Sequence, residues 1–239
     1  MHIGVELPSS PHKHVSKIMD LVLKLDPYSI LDIGTGFGKY GVLCREYLEL
    51  WDGRQNYDEF LRKIDGVEAH DKYITPLHRF VYNNIFSENV MTLINRVDYK
   101  YDLFLLIDVL EHFDKQEGHL LLEKLLSRGK GVLISTPKNP SAQKNAFNND
   151  YEIHRAKWTR KEFSSFSNSF FLRDNTHLVV YIGTNESVMK LKKRILLERL
   201  NTIPGARYLI ATYIKFIRRN KPEKAVIQVT RPDPKPLHT

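Results

Sequence analysis

Cysteine is nearly absent from this chain: Cys44 is the single one in 239 residues. A lone thiol excludes an internal disulfide and a cysteine-built metal cluster, and it fits a reducing compartment. Long hydrophobic runs are missing too. The nearest, Tyr208 to Ile217, falls short of a membrane span and is interrupted by Lys215. No apolar core precedes a cleavage site near the start, where His12, Lys13 and His14 come early, so a cytoplasmic protein without a leader is expected. Also lacking are a recognisable RNA-binding module and, in the core, any basic run interleaved with aromatics.

What is there is an ordinary globular composition, 42% hydrophobic and 27% charged. The length suits one sizeable core with an appendage better than two full domains. The formal net charge of +8 owes much to residues late in the chain, among them Lys192, Lys193, Arg194, Arg199, Lys215, Arg218 and Arg219. A solvated helix face accounts for such a run; contact with a polyanion, a membrane surface or a protein partner is the other reading.

The most informative stretch is Ile30 to Gly41, an apolar run carrying the acid Asp32, followed by Gly34, Gly36 and Gly38 at alternate positions. It reads as a buried strand, a tight turn and the start of a helix. Bare backbone at the turn lets a ligand lie directly against it, as in nucleotide pockets. The spacing is G-x-G-x-G, whereas dinucleotide-binding turns carry G-x-G-x-x-G. A carboxylate two residues ahead would repel a pyrophosphate and suits a ligand bearing an ammonium group.

Hydrophobic periodicity orders the remainder. Val15, Ile18, Met19, Val22 and Leu25 predict a helix over 10–25, capped by Ser9 or Ser10 and ended by Asp26-Pro27. Strands are expected at 30–33, 64–68, 84–86, 101–107 and 131–135, with helices at 39–48, 73–83 and 120–126 between them. Thr159 and Glu162 form a capping box that opens a further helix. Two β-rich runs, 169–173 and 177–182, follow. Strands alternating with helices and closing on a hairpin predict an α/β fold with a doubly wound, mostly parallel sheet of seven strands. The two-sided apolar run at 101–107 is its central strand, and it delivers Asp108, Glu111 and His112 to the carboxyl edge where such sheets bind ligands. Beyond Thr184 the pattern changes to a basic amphipathic helix with Val188, Leu191, Ile195, Leu196 and Leu200 on one stripe. A break at Pro204-Gly205, a second helix from Tyr208 and an extended tail from Arg231 follow. The expected organisation is therefore a domain over 1–184 and a helical extension over 185–239 that packs on its own domain, a twin subunit or a partner.

The glycine stretch with Asp32, together with Glu68 about thirty residues after the turn, resembles the cofactor motifs of class I S-adenosylmethionine-dependent methyltransferases over roughly residues 28 to 183. That resemblance implies that Gly34, Thr35, Gly36 and Gly38 wrap the amino-acid end of the cofactor, with Asp32 near its ammonium group. Glu68 would accept both ribose hydroxyls, Asn89 or Glu88 the adenine amino group, and Asp108 would line the cofactor. A second pair of motifs, Asp108-x-x-Glu111-His112 and His154-x-x-x-Trp158, resembles two groups within that class: quinone-biosynthesis O-methyltransferases and small-RNA 3′-terminal 2′-O-methyltransferases. The RNA group holds a divalent metal with E-x-x-E-H and a later histidine, and Asp108 stands where that group has a longer glutamate.

Three readings of Asp108, Glu111, His112 and His154 stay open: ligands for Mg²⁺, Mn²⁺ or Zn²⁺, a metal-free base at His154 or His112, or structural roles. The other histidines, including His12, His14 and His177, have no nameable partner and are expected at the surface or in satisfied core positions. The activity implied is methyl transfer from S-adenosylmethionine to an oxygen of a small molecule or sugar, with the acceptor over Glu111, His112 and His154 and the 139–150 loop as a lid. Metal-dependent 2′-O-methylation of an RNA ribose is the alternative. A non-catalytic cofactor-binding partner, docking through the C-terminal helices, is the third.

Overall fold

The computed structural model describes residues 12–50, 56, 59–96, 100–140 and 149–203. The proposed caps Ser9 and Ser10, most of the expected lid, the second C-terminal helix and the tail lie outside the described residues. By internal contacts the chain forms two units, residues 1–195 and 196–239.

The first helix, α1 (Val15–Leu25), presents Ile18, Met19, Leu21 and Val22 as a fully buried stripe. It stops where Asp26 turns left-handed at φ 52 and its N–H reaches back to the Val22 carbonyl, just ahead of Pro27. Strand β1 (Ser29–Ile33) then leads through the glycine turn into α2 (Lys39–Glu49), and β2 (Lys63–Glu68) follows. Next come α3 (Pro76–Val81), the short β3 (Ile85–Ser87), α4 (Val90–Arg96) and β4 (Leu103–Ile107). The chain continues as α5 (Lys115–Ser127), β5 (Gly131–Pro137), α6 (Arg160–Ser164), β6 (Ser169–Leu172), β7 (His177–Gly183) and α7 (Asn185–Asn201).

The seven strands form one sheet in the order β3-β2-β1-β4-β5-β7-β6. The first five pair in parallel, and β7 runs antiparallel to both β5 and β6. This is the doubly wound, seven-stranded sheet expected from the sequence. Because β1 leads outward to β2 and β3 while β4 lies on its other side, the chain reverses direction between β1 and β4. Ligands of open α/β sheets sit at such a switch point.

Alternation along the central strands feeds two cores. Leu31, Ile33, Phe104 and Leu106 face α4, α5 and Trp158, whereas Ile30, Leu103, Leu105 and Ile107 face α1, α2 and α7. Both faces of β4 are covered, which is why its five residues are all apolar and all buried. The lone thiol, Cys44, is sealed in the second core, and burial pushes its pKa far up, so it packs as a small apolar group.

Several boundaries differ from the sequence reading by a few residues, and two of them have evident local causes. Helix α5 begins five residues earlier than its apolar pattern, because the Asp114 carboxylate accepts the Glu117 N–H at 2.8 Å and caps it. Strand β5 extends through Pro137 because β7 continues opposite it, with His177 paired to Pro137.

Candidate active site

The glycine turn is built from backbone that side chains rarely adopt. Gly34, Gly36 and Gly38 have φ of 71°, 53° and 85°, and left-handed backbone disfavours any Cβ. The Gly34 and Thr35 N–H groups bond to the Val67 carbonyl at 2.8 and 3.2 Å, tying the turn to β2. A Cβ on Gly34 would fall 2.5 Å from a Val109 methyl, whereas one on Gly36 would meet nothing within 4 Å. The turn therefore presents open space in front of Gly36.

Glu68, at the end of β2, borders that space. Its Oε2 accepts the Gly36 N–H at 2.9 Å and its Oε1 the His70 N–H at 2.9 Å. Burial raises its pKa, and these two backbone donors oppose the rise. His78, which the sequence reading did not single out, locks the turn from the other side. Its Nδ1 accepts the Thr75 N–H at 3.1 Å, so Nε2 carries the proton and donates it to the Gly36 carbonyl at 2.9 Å.

Asp32 and Asn89 are used differently from their neighbours. Strand parity turns Asp32 with Ile30 toward α2, where it is 3% exposed and accepts the Tyr82 hydroxyl at 2.6 Å. Burial pushes its pKa up to about 6. The carboxylate expected beside the cofactor's ammonium group is thus engaged by the Tyr82 hydroxyl and the Gly41 backbone. The Asn89 side-chain oxygen accepts the Met91 N–H at 2.8 Å and starts α4, and Glu88 pairs with Arg96.

At the end of β4 the four residues singled out as metal ligands separate. Glu111, His112 and His154 come together, with one ligand-capable atom from each lying within 4.8 Å of the others. Asp108 turns elsewhere, adopting φ 55° and grouping with His14 and His177. Its charge still reaches Glu111: burial first, then Asp108, hold the Glu111 pKa well above the carboxylate range. Of the other histidines expected at the surface or in satisfied core positions, His12 is exposed and His177 is buried with the Thr176 hydroxyl 3.0 Å from its Nδ1, whereas His14 departs from the expectation, buried with neither ring nitrogen hydrogen-bonded.

The proximity of His154 to His112 has a structural cause. The segment before α6 is laced to the short 3₁₀ turn Leu110–His112. The Arg155 and Ala156 N–H groups bond to the Glu111 carbonyl at 2.8 and 3.1 Å, and the Trp158 indole N–H to the Leu110 carbonyl at 3.0 Å. His112 Nδ1 donates to the Ile153 carbonyl at 3.3 Å, since a carbonyl can only accept, and this leaves the Nε2 lone pair available. Burial pushes the His112 pKa down to about 4, so the ring is neutral at pH 7. Glu111 is 1% exposed and its Oε2 has no hydrogen-bond partner. A buried carboxylate oxygen left unmatched beside two imidazoles is the donor set a divalent cation would satisfy.

No protein-family model and no curated protein matches this chain. Among solved structures, the N-terminal domain of EvdMO1 with SAH bound aligns at TM-score 0.53 and 12% identity, covering 74% of this chain and 83% of that one. The same domain in the presence of SAH and D-fucose aligns at TM-score 0.51 and 13% identity, over 74% of this chain and 85% of that one. An O-methyltransferase family protein from Burkholderia thailandensis aligns at TM-score 0.49 and 12% identity; 71% of this chain is covered and 55% of that one. The chain has the Rossmann-like fold of the class I S-adenosylmethionine-dependent methyltransferases.

Proposed function

We propose that this protein transfers the methyl group of S-adenosylmethionine to an oxygen of a small molecule or sugar. The observation that carries the reading is the left-handed turn at the switch point, open in front of Gly36 and bordered by Glu68. Backbone without side chains would hold the amino-acid end of the donor, and the remaining lone pairs of the Glu68 carboxylate would take the ribose hydroxyls. When bound, the sulfonium would supply an electrophilic methyl carbon to an in-line acceptor oxygen, with the thioether as leaving group and the hydroxyl proton passing to a base.

The acceptor would lie over Glu111, His112 and His154. A divalent cation held by those three would lower the pKa of the acceptor hydroxyl. His112 presents its Nε2 in the neutral form that ligates, and Glu111 gains a reason to ionise. Without a cation, His112 at about 4 is too weak a base for a hydroxyl, and proton removal falls to His154.

The EvdMO1 domain whose structure was determined in the presence of SAH and D-fucose shares the fold only, and deoxyhexoses are the first acceptors to try. The test is transfer from methyl-labelled donor into separated metabolite, sugar and RNA fractions, with and without chelator. Label in a small oxygen-bearing product supports the proposal. Label confined to RNA 3′ ends would replace it with ribose methylation, and no label in any fraction would leave a binding protein.

A further inference from the structure

The second histidine cluster at the carboxyl edge has no part in that reading. It joins three distant segments: the 3₁₀ turn His12–His14 ahead of α1, the residue after β4, and the first residue of β7. His14, Asp108 and His177 each offer a ligand atom within 4.8 Å of the other two. His177 Nε2 stands 3.6 Å from Asp108 Oδ1, and the His14 and His177 rings lie 4.0 Å apart at 50°. For comparison, two ligands about 2.1 Å from a tetrahedral Zn²⁺ are ~3.4 Å apart.

His14 is the telling member. It is fully buried, and neither of its ring nitrogens has a hydrogen-bond partner. The nearest carboxylate outside the trio, Asp174, is 4.0 Å from Nδ1 and is already engaged. Asp174 takes the Thr176 and His177 N–H groups at 2.9 Å each, the Thr176 hydroxyl at 3.1 Å and the Lys17 ammonium at 2.8 Å. An imidazole buried without partners is a standing penalty that folded chains avoid.

The surrounding groups orient the trio as an outer shell orients metal ligands. The Thr176 hydroxyl sits 3.0 Å from His177 Nδ1, which directs Nε2 at Asp108, and the Ser135 hydroxyl donates to Asp108 Oδ1 at 2.9 Å. Burial holds both imidazoles below their usual pKa, in the neutral form that binds metals. Lys17 pairs with Asp174 at 2.8 Å, and the charges of Lys17 on His14 and of Lys138 on His177 are outweighed there by the Asp108 and Asp174 carboxylates.

We propose that His14, Asp108 and His177 bind one divalent transition-metal cation of the zinc type, at a site separate from Glu111, His112 and His154. Two imidazoles and one carboxylate are a set that Zn²⁺, Co²⁺ and Fe²⁺ accept, leaving further coordination positions for water or another ligand. The inference needs no nucleotide and stands whether or not methyl transfer is the activity.

Cobalt is the probe that reads it. Full-length protein carrying His112→Ala and His154→Ala, stripped with chelator, is titrated with Co²⁺ while visible absorption is followed. The proposal expects one equivalent to bind with the strong visible bands of a four- or five-coordinate site, and adding His177→Gln or His14→Gln to weaken binding at least ~100-fold. No bound cobalt, or unchanged affinity in both glutamine variants, overturns it. Should either variant unfold, imidazole nitrogen NMR of the unsubstituted protein decides. Zn²⁺ must shift the ring signals of His14 and His177 together, and their indifference to zinc refutes the site.

Discussion

Gly34 and Gly36 share a left-handed backbone and differ in surroundings, and that difference separates folding from binding. An alanine in the left-handed region costs roughly 1–2 kcal/mol. At Gly36 nothing else stands in the way, whereas at Gly34 the methyl also collides with Val109. Gly36→Ala is therefore expected to lower Tm by a few degrees while weakening SAH binding more than ~10-fold. Gly34→Ala should lower Tm further. Thermal melts paired with binding isotherms check both, and equal loss of stability in the two variants would contradict the contact analysis.

Glu111 and His112 make opposite contributions to stability as pH changes. His112 takes its proton near pH 4 when folded and near 6.5 when unfolded, so stability falls as pH drops from 6.5 toward 4. Glu111 has a raised folded pKa, so the folded state holds that proton longer, and the contribution is lost as pH rises through the folded value. In chelator at pH 8, Glu111→Gln should accordingly raise Tm by ~2–4 °C, the shift that 1 kcal/mol makes in a chain of this size. A lower Tm would mean that Glu111 is compensated there. With the cation proposed for Glu111, His112 and His154, the order reverses, because only the carboxylate gains by binding it.

Residues of the glycine turn were legible because their spacing is local. His14 and His177 were not, because no local pattern links a turn ahead of α1 to the first residue of β7. They meet only through the antiparallel register that sets His177 against Pro137. Asp108 was misplaced for a similar reason: i and i+3 on a helix share a face, but here the backbone turns left-handed at Asp108 first.

Among the elements, the 3₁₀ turn carrying Glu111 and His112 buries Leu110 in the core and is hydrogen-bonded to the irregular segment 153–158. Trp158 is its anchor, lying so close to α5 that a Cβ on Gly118 would come within 2.4 Å of the indole. Trp158→Phe keeps most of the apolar contact and removes the hydrogen bond to Leu110, a loss of about 1 kcal/mol in stability. Because that bond holds the turn, kcat should fall ~10-fold or more with SAH affinity unchanged. Equal falls in both would show that the turn is held by other means. The capping box at Thr159 and Glu162 was readable from four residues and is present, with the Glu162 carboxylate accepting the Thr159 N–H at 2.7 Å. The Asp114 cap of α5 is equally local, but it stands six residues ahead of the first leucine of that helix, Leu120, so hydrophobic periodicity alone does not reach it.

At the scale of the molecule, the positions of the central strands were legible from hydrophobic runs because a parallel sheet buries both faces and writes itself as unbroken apolar stretches; their order was not, because such runs carry no pairing information. Every described residue assigned to either cluster or to the turn lies within residues 12–177, inside the first compact unit. A chain ending after Ile203 should bind SAH within ~2-fold of full length, because every group assigned to the turn lies ahead of that point. A larger loss would give the basic extension a share in the site.

The proposed function requires that the turn at the switch point hold a sulfonium nucleoside. Isothermal calorimetry on the full chain tests it most directly, with S-adenosylmethionine and SAH in one series and a nicotinamide dinucleotide in the other. Saturable one-to-one heat is expected with the first pair, abolished by Glu68→Ala, and none with the dinucleotide; silence from the first pair alongside binding of the dinucleotide would overturn the assignment.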